Sequence, residues 1–364
     1  MVALNIANTV TDLIRGDLKE HLPFERIPLE GDVLGLGTTT SADNGELAFL
    51  YAPEENRTRI YKCQATDGSI RELRAGEGSG HFPYVCFSED ASAERNRVDL
   101  GSFPSVEGRP LQELIQTAIR QLGEPAPIYG IRLVSEWESL VITVASKLCM
   151  GQQRRNAAVS PGSGLEGSIY DLLQHYQLAR EEAGTYPGVQ YLGRSLEWEC
   201  CGFYDTQPLE GRVTVPVDGA HLHIHGCSAD RRYGGHLHHE HEGTRLKGLK
   251  RLDLYPLQEL RSLGSDLAVE ELRYSDDVLS FRVRNIGSMD INDLGVAIVI
   301  DDRYSKHRYL RLPWLSAGES QEFPVPLNLP SGRHEVTVVA DPNCDVIEEE
   351  SRRANNTATL SVEL

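Results

Sequence analysis

Two patterns of apolar and polar positions divide the chain. From about residue 267 onward they alternate in short runs, AVEELRYSDDVLSFRVRN, GVAIVIDD, YLRLPWL, ESQEFPVPL, HEVTVVADP and TATLSVEL. Turn signals such as NIGS, SAGES, LPSGR and DPN separate these runs, so the region predicts an all-β sandwich of roughly 100 residues. The earlier part is mixed. Helices are predicted at 10–22, where Leu13, Ile14 and Leu18 share a face and Thr11 offers a cap, at 111–123, closed by Gly123, and at 168–184. Strands are predicted at 45–52, 58–65, 82–88, 212–217 and 221–225, with 128–134 and 139–146 as a further strand pair. The polar, Gly/Ser-rich segment 151–168 reads as a loop. The expected fold class is therefore α+β: a mixed-sheet domain over residues 1–262, then an all-β sandwich over 263–364.

Charge and cysteine usage narrow the function classes. Acidic residues outnumber basic ones 54 to 36, for a net charge of −18, and no stretch clusters Lys or Arg with aromatics. Nucleic acid is excluded as the expected partner. Nowhere do 18 apolar residues run together, and the first residues lack a basic segment followed by an apolar one. No membrane association and a cytoplasmic location are expected. Seven cysteines, an odd number at irregular spacing, do not form a disulfide framework, which fits a reducing compartment.

The chemistry concentrates in HLHIHGCSADRRYGGHLHHEH, residues 221–241, which hold seven of the twelve histidines. On a strand, side chains alternate faces, so His221, His223 and His225 point one way. Gly234 and Gly235 permit a tight return that brings His236 and His238 alongside. Facing imidazoles on neighbouring strands make a metal site. Neutral imidazoles suit zinc, copper, iron or nickel, and three nitrogens with an open position describe a catalytic zinc. Cys227 could add a thiolate, whereas His239 and His241 fall on the opposite face from His236 and are expected in solvent. The alternative is a solvated, histidine-rich hairpin.

Several separated pieces resemble one family, the α-acetolactate decarboxylases. They are LIRGDLKEHLPFERIPLEGDVLGLGTTT, NGELAFL, IYGIRLV, Gly202-Phe203 and VDGAHLHIHGCSADRRYGGH, touching most of residues 10–250. The resemblance implies a Zn2+ centre on His221, His223 and His236, with His225, His238 and Cys227 as further candidate ligands. It implies catalytic roles for Glu46 of the GEL strand, Arg132 of the Y-x-I-R strand and Thr38 of the GLGT turn. The interval from His223 to His236 is two residues longer than in that family. An additional glutamate from the family's C-terminal tail would fall to Glu259, Glu270 or Glu271. Residues 266–364 resemble the CARDB family of immunoglobulin-like modules, on DLAVEEL, VRNIGS, LSAGES and VVADPNCDVIEEESRRANNTATLSV. That implies an adhesive or spacing role and a protein partner. Asp341 and Asn343 are expected to shape the Asp-Pro turn, and a calcium site on Asp341, Asp345 and Glu348 is the sharper reading of the same string.

These residue types suit decarboxylation of an α-hydroxy-β-keto acid, with acetolactate to acetoin as the reference reaction. Loss of CO2 is easy when the electrons left behind are held as an enediolate, and zinc supplies the Lewis acid. Arg132 would hold the departing carboxylate, and Glu46 would deliver a proton to one face. Two other readings stay open: a family member acting on a larger keto acid, and a non-catalytic metal-binding scaffold working through its CARDB module. A homodimer is implied by the resemblance.

Overall fold

Strand dominates the residues that the computed structural model describes, which are 2–15, 21–39, 45–63, 69–75, 81–103, 105–145, 188–193, 196–346, 348 and 352–364. The chain divides into two compact units, Met1–Ser262 and Leu263–Leu364.

In chain order the main strands of the first unit are β1 (Ala3–Ala7), β2 (Val33–Thr38), β3 (Glu46–Ala52), β4 (Arg57–Cys63), β5 (Ile70–Glu72), β6 (Tyr84–Asp90), β7 (Ile128–Ala145), β8 (Gly188–Gly193), β9 (Leu196–Asp205), β10 (Leu222–Ser228), β11 (Gly234–Leu237), β12 (Arg245–Leu257) and β13 (Glu259–Leu263). One sheet has the order β13-β1-β6-β2-β3-β4-β5. The other runs β9-β10-β11-β7-β12 and ends on Asn96–Arg97, with β8 on β7 and a further pairing of β9 with β7.

Alternation sets the layers. Leu222 and Ile224 of β10 enter a core with Ile131 and Leu133 of β7 and with Leu114 and Ile115 of helix α2 (Leu111–Leu122), the helix that follows α1 (Val10–Arg15). The opposite face of β10 turns toward the first sheet, where Cys227 packs on Ala48 and Leu50 of β3. The second sheet therefore lies between α2 and the first sheet.

Four sequence expectations change. The strand pair 128–134 and 139–146 is one 18-residue strand, β7. The polar stretch between them is no turn: Ser135 accepts from Trp137 Nε1 at 2.9 Å, and Glu136 pairs with Lys247 at 2.6 Å. Register shifts against β12 at 134–139 let its two halves serve different partners. Residues 212–217 form no strand, consistent with Pro216, which cannot donate to a ladder. Of the helix expected at 10–22, Val10–Arg15 is helical, and residues 16–20 lie outside the described residues. Its cap is Thr9 rather than Thr11, with Thr9 Oγ1 accepting from the Asp12 amide at 3.0 Å. The loop at 151–168 and the helix at 168–184 also lie outside the described residues. Two α-helices, Val10–Arg15 and Leu111–Leu122, are present among the described residues, so the chain is mostly β.

The second unit has β14 (Leu267–Ser275), β15 (Val278–Asn285), β16 (Ile291–Ile300), β17 (Arg303–Leu315), β18 (Ser320–Pro326), β19 (Arg333–Ala340) and β20 (Thr357–Glu363). Sheets β14-β15-β18 and β17-β16-β19-β20 share one core, in which Leu279 and Phe281 meet Val296, Ile298 and Val338. The Asp341 carboxylate accepts from the amides of Asp345 at 2.8 Å and Val346 at 2.9 Å, so it shapes the turn. Glu348 accepts from the Leu267 amide and Asn356 Nδ2. Of the three carboxylates in the calcium reading, those of Asp341 and Glu348 thus bond to the fold itself.

Candidate metal centre

Three histidines converge: His223 and His225 on β10 and His236 on β11, with ligand-capable atoms all within 4.8 Å of one another. His225 and His236 are directly paired across the two strands. Ring centroids stand 4.9 Å apart for His223–His225, 4.9 Å for His223–His236 and 5.4 Å for His225–His236.

Backbone carbonyls fix two of the rings. His223 Nδ1–H donates to Val213 O at 2.6 Å, and His225 Nδ1–H donates to Leu47 O at 2.8 Å. With the protons on Nδ1, both Nε2 atoms present lone pairs, yet they lie 3.1 Å apart. Two acceptors at that distance repel unless a cation lies between them. Protonation does not supply it. Burial holds His223 down to about 4 and holds His225 and His236 well below the ordinary imidazole value, with neighbouring histidines adding to the effect on all three. Two nitrogens each ~2.0–2.1 Å from a tetrahedral ion stand about 3.3 Å apart, close to what is found. The residues present fit a divalent metal held by neutral imidazoles, and carbonyls at the far nitrogens orient such ligands.

Glu46 begins β3, the strand whose Leu47 carbonyl holds His225. Its Oε2 lies 3.6 Å from His225 Nε2, and the residue is 8% exposed. Thr38 is paired with Glu46 across β2 and β3, and its Oγ1 is buried without a hydrogen-bond partner among the described residues. An acid, an orphaned hydroxyl and three imidazoles therefore meet where the two sheets face each other.

The structure distributes the other sequence candidates differently. His221 is not brought into the group, because β10 begins only at Leu222 and the Gly219 turn (φ 82°) precedes it. The His221 ring stacks on Tyr204 at 5.0 Å and donates to Asp205 O at 2.7 Å. His225 stands in its place. Taking His223 and His225 as the pair also shortens the interval to His236 by two residues, which removes the excess noted in the sequence. His238 sits 4.7 Å from the His236 ring and 3.3 Å from Glu240, beside the trio. His239, expected in solvent, has its side chain only 7% exposed, with Nε2 at 3.2 Å from Leu222 O. Cys227 belongs to the apolar cluster with Ala48 and Leu50, and it and Cys63 are both free, buried thiols.

Arg132 lies in one cross-strand row, Arg132–Cys201–His225–His236, two strands and roughly 10 Å from His225. Its Nε donates to Asp32, Nη1 to Phe49 O at 2.9 Å and Nη2 to Val33 O at 2.7 Å. Asp32 also receives Arg95 and Tyr255, and these partners hold its carboxyl below the usual range despite burial. Residues from both sheets meet at this carboxylate, which argument from sequence missed although Asp32 lies just ahead of the GLGT turn, because nothing local marks its distant arginine partners. Glu259 is exposed and held by Arg261 at 2.7 Å. Glu270 and Glu271 belong to the second unit, with Glu271 paired to Arg282 at 2.7 Å.

Comparison with known proteins gives two findings. Residues 265–360 match the family model of CARDB. Among solved structures, the chain is similar to a Staphylococcus aureus protein of unknown function described as similar to α-acetolactate decarboxylase, at 14% identity and a TM-score of 0.48. It is also similar to the α-acetolactate decarboxylase of Bacillus subtilis strain 168, at 15% identity and 0.47. Each match covers 71% of this chain and 88% of the other. The CARDB domain of a Pyrococcus furiosus protein, solved in complex with di-metal ions, matches at 21% identity and a TM-score of 0.23, over 28% of this chain and 88% of that one. No curated protein matches.

Proposed function

We propose that the first unit is a metal-dependent carboxy-lyase acting on an α-hydroxy-β-keto acid, with acetolactate to acetoin as the reference reaction. The observation that carries this reading is the pair of Nε2 lone pairs of His223 and His225 at 3.1 Å, completed by His236 and flanked by Glu46. The motif resemblance in GLGT, GEL and DRRYGGH supports the same chemistry and shares His223, His236, Glu46 and Thr38 with this site, with His225 in place of His221.

A divalent ion, with zinc as the reference metal among those that imidazoles suit, would supply Lewis-acid polarisation of the substrate's oxygens. His223, His225 and His236 would hold it and stay neutral through physiological pH. Thr38 Oγ1, without a hydrogen-bond partner among the described residues, would donate to a substrate oxygen. Glu46 would hand a proton to the carbon from which CO2 departs, and its fixed place beside His225 limits delivery to one face. Burial of the trio keeps bulk water from supplying that proton first. Arg132 is left out of this site, since Asp32 and two carbonyls already engage its guanidinium.

The test is metal content by elemental mass spectrometry beside an acetoin assay with racemic acetolactate, on the wild type, His225→Ala and Glu46→Gln. We expect one zinc per chain, lost in His225→Ala together with acetoin formation. Glu46→Gln should retain metal and lose about 10²-fold or more in turnover, the usual worth of a positioned acid. Metal without acetoin in the wild type would overturn the reference reaction, and no metal would overturn the site.

A further inference from the structure

Strands β2 and β3 stop pairing before they end. Their ladder joins Leu36 to Ala48, Gly37 to Leu47 and Thr38 to Glu46, while β3 stays paired with β4 along its whole length from Glu46 to Ala52. Around the end of that ladder the opposite sheet supplies partners. Three consecutive members of the row Arg132–Cys201–His225 bond to main-chain groups of β2 and β3. Arg132 of β7 donates from Nη2 to Val33 O at 2.7 Å and from Nη1 to Phe49 O at 2.9 Å, so one guanidinium joins the two strands. Cys201 Sγ of β9 accepts from the Gly35 amide at 3.3 Å, and His225 of β10 donates from Nδ1 to Leu47 O at 2.8 Å. The row seats β2 and β3, and with them Thr38 and Glu46, against the histidines.

Asp32, fully buried and next to Val33, orients the guanidinium at the far end of the row. Its carboxylate accepts from Arg132 Nε, from Arg95 Nε at 3.1 Å and from the Tyr255 hydroxyl at 2.7 Å. Burial alone would raise this carboxyl, yet these donors, Arg132 foremost, hold it below the usual carboxylate range. The Asp32 backbone is pinned as well, its amide donating to Asp90 Oδ1 at 2.9 Å and its carbonyl accepting from the Ala91 amide at 3.0 Å. A guanidinium is planar, so fixing Nε fixes the directions of Nη1 and Nη2. A lysine ammonium, compact and on a flexible stem, cannot make the three bonds in those directions.

We propose that Asp32 is a positioning residue for the metal centre, acting through Arg132 on strand β3. It touches neither metal nor substrate. Arg132 holds β3 at Phe49. Two residues back, Leu47 O decides which nitrogen of His225 carries the proton, and Glu46 begins the strand. Loosening Asp32 lets Leu47 O drift from His225, and a ring without that bond is no longer fixed with its Nε2 lone pair toward the ion. The inference rests on the proposed metal centre, but the hydrogen bond it turns on belongs to the metal-free protein.

The test is the His225 Nδ1–H proton, observed by nuclear magnetic resonance in the chelator-treated full chain labelled on histidine nitrogen and assigned by its loss in His225→Ala. Asp32→Asn, Arg132→Lys and Tyr255→Phe are compared with Leu114→Ala, which thins the α2 core without touching the row. The His225 signal should shift or broaden in Asp32→Asn and Arg132→Lys, and less in Tyr255→Phe. Cobalt(II) binding, followed by visible absorption, should weaken about tenfold in the first two, the lower end of what outer partners of metal ligands are worth. Leu114→Ala should melt earlier and keep both the signal and the affinity. The proposal is overturned if folded Asp32→Asn and Arg132→Lys keep the wild-type signal and affinity, or if Leu114→Ala changes them as much. Should those two variants fail to fold, Tyr255→Phe, which removes one neutral donor from Asp32, decides by the same signal: a wild-type signal there overturns the proposal. A wild type that shows the His225 proton and binds no cobalt overturns the metal reading instead, and the signal in the variants still decides the hold of Asp32 on His225.

Discussion

The protonation of single histidines makes the candidate metal site sensitive to acid in a definite direction. Burial depresses His223 to about 4 and depresses His225 and His236 as well, whereas in the unfolded chain each titrates near 6.5. As pH falls from about 6.5 toward 4, the unfolded state takes up protons that the folded state refuses. The metal-free protein therefore loses stability through that window and is steady above it. Urea midpoints of the chelator-treated protein between pH 7.5 and 4.5 should show this fall, with a shallower slope in His225→Gln. Equal slopes would mean that His225 is not a buried neutral imidazole. At this scale the sequence showed which residue types were present and that His223 and His225 share a face. It could not show that His221 lies just outside the strand, because one turn at Gly219 decides where alternation begins.

Strand spacing controls the site at the level of elements. A Cβ at Gly202 of β9 would lie 2.2 Å from His223 O and 2.8 Å from Ile224 Cα, both backbone atoms that no rotamer change can move. Gly202→Ala should force β9 and β10 apart, costing about 3 kcal/mol, and should release bound metal although no ligand is altered. Thermal melting with metal analysis checks both halves of this prediction. Gly202-Phe203 was visible as a motif fragment, but its reason was not, since the close approach lies across the sheet. The same holds for β7. Its polar middle looks like a turn along the chain and reads as strand only once Glu197, Leu196 and Lys247 are seen beside it.

The two units of the whole molecule have separate cores. Residues 263–364, produced alone, should therefore unfold cooperatively in urea, followed by circular dichroism. A gradual, non-cooperative loss of signal would show that this unit depends on the first. Among the described residues no helix is long and apolar enough to cross a membrane.

Local order along the chain determined much of this. Period-2 alternation marked the second unit, the Gly-Gly return placed His236 opposite β10, and helical spacing marked Leu111–Leu122. These features depend on neighbours within a few residues, where backbone geometry alone dictates facing. Tertiary structure decided the rest. Only the packing of one sheet on the other sets Glu46 and the Leu47 carbonyl against His225 and draws Arg132 onto Asp32. Leu47 and His225, for example, are 178 positions apart, and no periodicity in a linear sequence records which distant carbonyl an imidazole will meet.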